Sequence, residues 1–406
     1  MSTSSQPPSN PPHRPRWSSE ECIRIFVIFP LAICVIGFIC SDLLSTDSCQ
    51  HTALRFPERF ARDYKRVERE LKVYIYRDRD PGRYFQSPRE LTGMYGSEDY
   101  FFKNIKESRF LTTDPLLARL FFIPIYWHQM RSRRTPYENM TDIVENYVEG
   151  LISKYPYWNK TEGADHFFVI CHEKGVEVAE EVPFLENNPI RLVCPPARYT
   201  SYKDIALPLV NHSFSHLSYG NGKYKRTTRS LFAGVPNVEI RPIPELQWEN
   251  DNELDIHNNR TDTDEGYVLY HDRVHRTKFC ICPHGFPDYT NIIADSIRYG
   301  CVPVIVSNYE NFPFYAILDW HKFSIILAEE NVHLLKDTLK GIRRADFTRF
   351  QNNLLKVQKH FEWNSPPVRF DAFHMVMYDL WLRHSTSRAK AITKAISFTE
   401  SDMISV

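Results

Sequence analysis

Short apolar runs bounded by breakers recur along the chain, separated by longer segments whose apolar positions follow the helical period. Residues 71–76 alternate as a strand. Residues 118–125 and 166–171 are continuous apolar runs, as expected of strands buried on both faces of a parallel sheet. Residues 140–155 between them read as a helix, as does the charged segment 59–70. Residues 165–194 repeat a strand, loop, helix, strand rhythm, and 204–208 close a first α/β unit. A stretch rich in Ser, Gly, Lys and Tyr, 212–228, reads as a linker. The rhythm restarts at 229–234 and continues through apolar runs at 279–283, 301–306 and 323–326, with helical patterns at 290–299, 313–320, 331–343, 346–360 and 369–384. The pattern predicts two open α/β domains facing a cleft, with ligands at the carboxyl ends of their strands.

One segment breaks this pattern. Residues 25–41 carry no charge, which is the short end of what crosses a bilayer, and Pro30 and Gly37 within it are tolerated in membrane helices. The proline-rich N-region and the lack of a small-residue cleavage site argue against a removed signal peptide. His13, Arg14, Arg16 and Arg24 precede the run while Asp42 and Asp47 follow it, so the amino terminus is expected on the cytosolic side. The expected organisation is a cytosolic tail (1–24), a transmembrane signal anchor (25–44), a stem (45–70), an acceptor-side α/β domain (71–211), the linker (212–228), a donor-binding α/β domain with closing helices (229–384) and a tail (385–406). Four glycosylation sequons, at Asn139, Asn159, Asn211 and Asn259, agree with a luminal body.

Composition narrows the partners. Fifty basic residues balance fifty acidic ones, which excludes the global positive field expected of a nucleic-acid binder. Six cysteines beyond the anchor permit disulfides in an oxidising lumen, although most lie in apolar runs that suit buried thiols equally well. Cys280-Ile-Cys282 lacks metal-ligand spacing and a second pair, so zinc is not expected. Asp78-Arg-Asp80 and Asp262-Thr-Asp264 have the composition of a Mn²⁺ or Mg²⁺ site, but the first adjoins a Pro-Gly turn and the second follows no strand.

The most informative stretch runs from Arg276 through Lys278 to His284-Gly285, then into the helix that carries Asp295. A strand, a glycine turn and a helix start make an anion site, in which backbone amides, Arg276 and Lys278 would meet a diphosphate. Asp295 is then either an acceptor for ribose hydroxyls or a solvated helix residue. An acid–base group is expected at the carboxyl end of a strand, which favours His172 or Glu173 over Asp165 or His166. For Glu173 the alternative is an exposed loop carboxylate, and for His166 a structural histidine.

Several long motifs, taken in order, carry a resemblance: Tyr155-Pro-Tyr-Trp-Asn-Lys-Thr-Glu-Gly-Ala-Asp-His-Phe-Phe168, Lys203-Asp-Ile-Ala-Leu-Pro208, Lys278-Phe-Cys-Ile-Cys-Pro283 and Asp295-Ser-Ile-Arg-Tyr-Gly-Cys-Val-Pro-Val-Ile305. The chain resembles the plant exostosin-type glycosyltransferases over residues 71–338. That resemblance implies a GT-B fold of two Rossmann-like domains behind one transmembrane helix, a type II Golgi membrane location, and inverting transfer from a UDP-sugar to a cell-wall polysaccharide. It implies no cofactor and no obligatory metal, and it puts Asp295 at the position of the family's ribose-binding acid. Similar proteins have an arginine three residues before that acid, where this chain has Ile292. The alternative reading is therefore a catalytically silent scaffold, in a homo- or hetero-oligomer with Golgi transferases.

Overall fold

The apolar runs become the strands of two parallel sheets. The computed structural model describes residues 53–77, 91, 95–127, 130, 135–194, 204–210, 225–233, 254–257, 264–284, 289–308 and 312–386. In the first sheet β1 (Val73–Ile75), β2 (Leu111–Thr112), β3 (Leu120–Phe122), β4 (His166–Ile170), β5 (Ile190–Val193) and β6 (Ile205–Ala206) lie in the order β2-β1-β3-β4-β5-β6. The second contains β7 (Thr228–Ala233), β8 (Leu254–His257), β9 (Thr277–Pro283), β10 (Val302–Val306) and β11 (Ile325–Leu327), in the order β11-β10-β9-β7-β8. Every pairing in both sheets is parallel. Counted from its first strand, each sheet has the order second, first, third, fourth, fifth, followed in the first sheet by a sixth strand, which is that of a doubly wound fold. Its switch point lies between β1 and β3 in one sheet and between β7 and β9 in the other.

The connections are helical: α1 (Pro57–Glu70), α2 (Gly96–Glu107), α3 (Tyr137–Lys154), α4 (Glu173–Glu181) and α5 (Pro183–Asn187) in the first half, then α6 (Asp264–Arg276), α7 (Tyr289–Tyr299), α8 (Leu335–Gly341) and α9 (Arg344–Val357). A last helix, α10, spans 372–386. Pro57 starts α1 at a position where its missing N–H costs nothing, and Glu58 favours the positive helix end. Phe101, Phe102, Phe122, Phe167 and Phe373 are fully buried, each side chain stabilising the fold by about 2–3 kcal/mol relative to exposure.

The two ends of the described chain cross over. Residues 53–55, read from sequence as stem, pair with the second half: Asp319 N–H donates to Ala53 O (2.7 Å), Arg55 N–H to Ile317 O (2.9 Å), and Leu54 bridges Leu318. Helix α10 packs on the first half instead, with Phe373 against Phe101 and Phe110, and Tyr378 against Phe60 of α1. The described residues accordingly form one compact unit.

The helix expected over 313–320 is absent. Phe314 has φ of 59°, in the left-handed region that a side chain resists, and the segment forms turns that present Leu318 to Leu54. Residues 331–343 also divide, into a 3₁₀ turn at Glu329–Leu334 and the short α8. Among the described residues no helix is long and apolar enough to cross a membrane; the proposed anchor, 25–44, lies outside them.

Each disulfide joins two neighbouring parallel strands. Cys171, just after β4, pairs with Cys194, just after β5; Cys280 in β9 pairs with Cys301, just before β10; Cys282 is a buried free thiol.

Candidate functional site

The first turn of α2 spans the carboxyl ends of the first sheet. Ser97 Oγ donates to Pro208 O beyond β6 (2.8 Å) and accepts from Val210 N (3.0 Å). A Cβ on Gly96 would stand 3.0 Å from Val210 Cβ, so this approach favours glycine. Glu98 is wholly buried, and its Oε2 accepts the Cys171 amide at the end of β4 (3.1 Å). Asp99 accepts the Tyr126 hydroxyl beyond β3. Burial pushes the Glu98 carboxyl well above the usual range, reinforced by the neighbouring Asp99 charge; burial likewise raises Asp99 to about 6, the Tyr126 bond opposing it.

His172 joins this cluster. It caps the start of α4, its Nδ1 accepting the Lys174 amide (3.1 Å), and its ring stacks on Tyr95 with centroids 5.3 Å apart and planes 12° from parallel. A neutral imidazole whose Nδ1 accepts an N–H carries its hydrogen on Nε2. His172 is therefore arranged as a donor. Glu173 is the first residue of α4.

Asp165 and His166 lie at the other end of β4, about 17 Å of strand away. His166 is fully buried, with Nδ1 2.7 Å from Asp165 Oδ1 and Nε2 2.6 Å from the Tyr76 hydroxyl, and it stacks on Phe121. Thr161 donates to the same Asp165 oxygen (2.6 Å). These contacts fill a core position on the sheet face.

In the second half the expected donor-binding residues separate. Arg276 ends α6, exposed and paired with Asp272 (2.9 Å). Lys278 lies near the amino end of β9 over the Phe347 ring, about 20 Å of strand from His284 at the carboxyl end. His284 Nδ1 is 3.4 Å from Glu329 Oε1, its ring edge-on to Tyr289 at the start of α7. Asp295 is 3% exposed and accepts the Tyr270 hydroxyl (3.2 Å). Ile292, three residues earlier on the same helix side, is equally buried, so an arginine there would stand beside Asp295. The structure thus brings Ile292 and Asp295 together but not Arg276 or Lys278 with His284. Gly285, Asn211, Asn259 and both Asp-x-Asp triplets lie wholly or in part outside the described residues, while Asn139 and Asn159 are exposed. Among the described residues no group of His, Cys, Asp and Glu is arranged to hold a metal.

Sequence reading missed α2 and with it Glu98 and Asp99. The signal was present: a Gly-Ser-Glu-Asp start followed by Phe101, Phe102 and Ile105 at helical spacing.

The exostosin GT47 domain model matches residues 67–342, a range that takes in both sheets. The chain belongs to the exostosin GT47 family. It is similar to a probable glycosyltransferase of Arabidopsis thaliana, 32% identical over 82% of this chain and 66% of that one. A probable glucuronosyltransferase of Physcomitrium patens is 25% identical over 76% of this chain and 75% of its own length. A probable β-1,4-xylosyltransferase of Arabidopsis thaliana is also 25% identical, over 76% of this chain and 81% of its own. The chain spans about two thirds of the length of the first relative. These relatives make it a plant exostosin-type glycosyltransferase by family.

Proposed function

We propose that the protein is an inverting glycosyltransferase of GT-B architecture that transfers a sugar from a UDP-sugar to a plant cell-wall polysaccharide or related glycan in the Golgi lumen. The observation that carries this reading is the family match across two doubly wound parallel sheets. Relatives named for glucuronosyl and xylosyl transfer support a glycan acceptor. Two disulfides support an oxidising lumen, and the exposed sequons Asn139 and Asn159 agree with it.

In the proposed reaction an acceptor hydroxyl oxygen bonds to the anomeric carbon while its proton passes to a base. The bond to UDP breaks, and its electron pair leaves on the diphosphate oxygen. What supports Glu173 over His172 as that base is the tautomer: His172 presents an N–H, which suits a hydrogen bond to a sugar oxygen. The donor would lie at the carboxyl ends of the second sheet near His284, with Asp295 toward the ribose and no obligatory metal. A scaffold reading is favoured by one observation, the buried Ile292 in place of a cation beside Asp295.

The test is calorimetric titration of UDP into the full chain in detergent, with and without Mn²⁺, alongside Ile292→Arg. Metal-independent binding by the native chain is expected. Strict Mn²⁺ dependence would transfer the reading to an Asp-x-Asp site. Binding and transfer gained only in the Ile292→Arg variant would make the native chain a scaffold.

A further inference from the structure

Glu98 connects the segments that leave two neighbouring strands of the first sheet, β3 and β4. Its Oε2 accepts the amide of Cys171, the residue after β4, and the amide of Trp127, in the segment leaving β3, lies against the same carboxyl. Oε1 is buried and makes no hydrogen bond of normal geometry among the described residues. Trp127 is itself pinned by Nε1 to Val169 O (2.7 Å), and Gly175 keeps the first turn of α4 close, since a Cβ there would meet Trp127 and Ile170 within 3 Å. Three residues before Glu98, Tyr95 lies flat against the His172 ring. The N-cap and first turn of α2 therefore hold the face of the His172 imidazole and the backbone that precedes it.

Resting on the glycosyltransferase reading, we propose that Glu98 is a positioning residue. By fixing the Cys171–His172 turn from within the protein, it sets the place of the His172 imidazole at the carboxyl end of β4. Glu98 touches no substrate, because no part of it is exposed. Its role is that of a buried hydrogen-bond acceptor for the Cys171 and Trp127 amides, with no cation in contact among the described residues. Glutamine has the same shape and offers the same acceptor, so it is the conservative replacement; alanine removes the support.

The experiment compares Glu98→Gln and Glu98→Ala in the full-length chain with two readouts. The first is diethyl pyrocarbonate labelling of individual histidines, followed by mass spectrometry. In Glu98→Ala the labelling rate of His172 is expected to rise several-fold, with His166 and His374 unchanged, as both are buried in hydrogen-bonded pairs elsewhere. Glu98→Gln should label like the native chain. The second is transfer onto a wall-oligosaccharide acceptor. Alanine is expected to lower kcat roughly ten- to a hundredfold, the scale of a misplaced catalytic group, with the KM for the UDP-sugar held, and glutamine should restore most of the loss. Equal loss in both variants would mean that a charged carboxylate acts directly. A uniform rise in labelling of all three histidines would mean a general loosening of the fold. Either outcome overturns the proposal, as does an unchanged His172 in Glu98→Ala. If the native chain transfers no sugar, the family reading of activity fails while the labelling arm still decides whether Glu98 positions His172.

Discussion

In the first sheet a buried polar cluster of Ser97, Glu98, Asp99 and His172 lies where the strands end; in the second a buried polar cluster lies where they begin. There Arg226, two residues before β7, donates to Val274 O (2.9 Å), Thr277 O and Tyr299 O, and Gln358 donates to Ile297 O (2.8 Å) and Arg298 O (3.0 Å). These carbonyls belong to the last turns of α6 and α7 and the start of β9, so a cation meets the negative ends of two helices. The same strand order thus supports two uses of buried polarity. At the carboxyl ends it shapes the place where doubly wound sheets take ligands, and at the amino ends it holds the frame together.

The largest loss is expected at Arg226. Arg226→Met keeps the aliphatic stem but leaves buried carbonyls unsatisfied, for a loss of about 3–5 kcal/mol and a fall in Tm of several degrees. Transfer per folded molecule should stay near native. Thermal unfolding followed with active-fraction assays checks both. A variant as stable as the native chain, or one that loses activity without losing stability, would end the division of labour between the two sheet ends.

The two disulfides divide in the same way, with smaller expected effects. Both join neighbouring parallel strands, but Cys171–Cys194 closes at the carboxyl ends and Cys280–Cys301 nearer the amino ends, with separations of 23 and 21 residues. Loops of that length predict about 3 kcal/mol for each. Replacing Cys280 and Cys301 by serine should therefore lower stability alone. Replacing Cys171 and Cys194 should lower stability by a similar amount and also reduce kcat, because Cys171 is the residue whose amide Glu98 holds. Equal kinetic effects of the two pairs would contradict the comparison.

Legibility from sequence followed the same divide. Continuous apolar runs such as 279–283 and 302–306 announce their strands because both faces are buried, and the doubly wound rhythm follows from their spacing. Glu98 and Asp99 escaped because hydropathy reads an acid as solvent-facing, and only tertiary packing buries this pair. Arg226 escaped inside a polar stretch read as linker. Arg276 and Lys278 are cations at a strand that leads to His284, yet strand direction puts them at the end away from it. The 313–320 segment has helical spacing but folds as turns, since its partner, Leu54, lies more than two hundred residues away. Periodicity carries what is local; which end of a strand a side chain serves depends on contacts it does not encode.

The smallest effect expected is a pair of opposed pH tilts. Asp99 has its folded pKa raised from 3.8 to about 6, mainly by burial, so between these values the folded state holds more proton than the unfolded one. Stability from this group is full below pH 4 and falls as pH rises toward 6, by on the order of 1–2 kcal/mol. His360, buried where α9 gives way to the strap before α10, has its folded pKa lowered by burial to about 4, its Nδ1 lying 2.8 Å from Phe370 O. Here the unfolded state holds more proton between pH 4 and 6.5, so stability rises with pH through the same window. The two tilts oppose each other in the native chain. Asp99→Asn, which keeps an acceptor for Tyr126, should leave the His360 slope and make the protein relatively weaker at pH 4.5 than at pH 6.5; His360→Gln should leave the Asp99 slope and do the reverse. Urea midpoints measured at the two pH values check this, and variants that tilt in the same direction would show that at least one of these buried groups does not carry the protonation difference assigned to it.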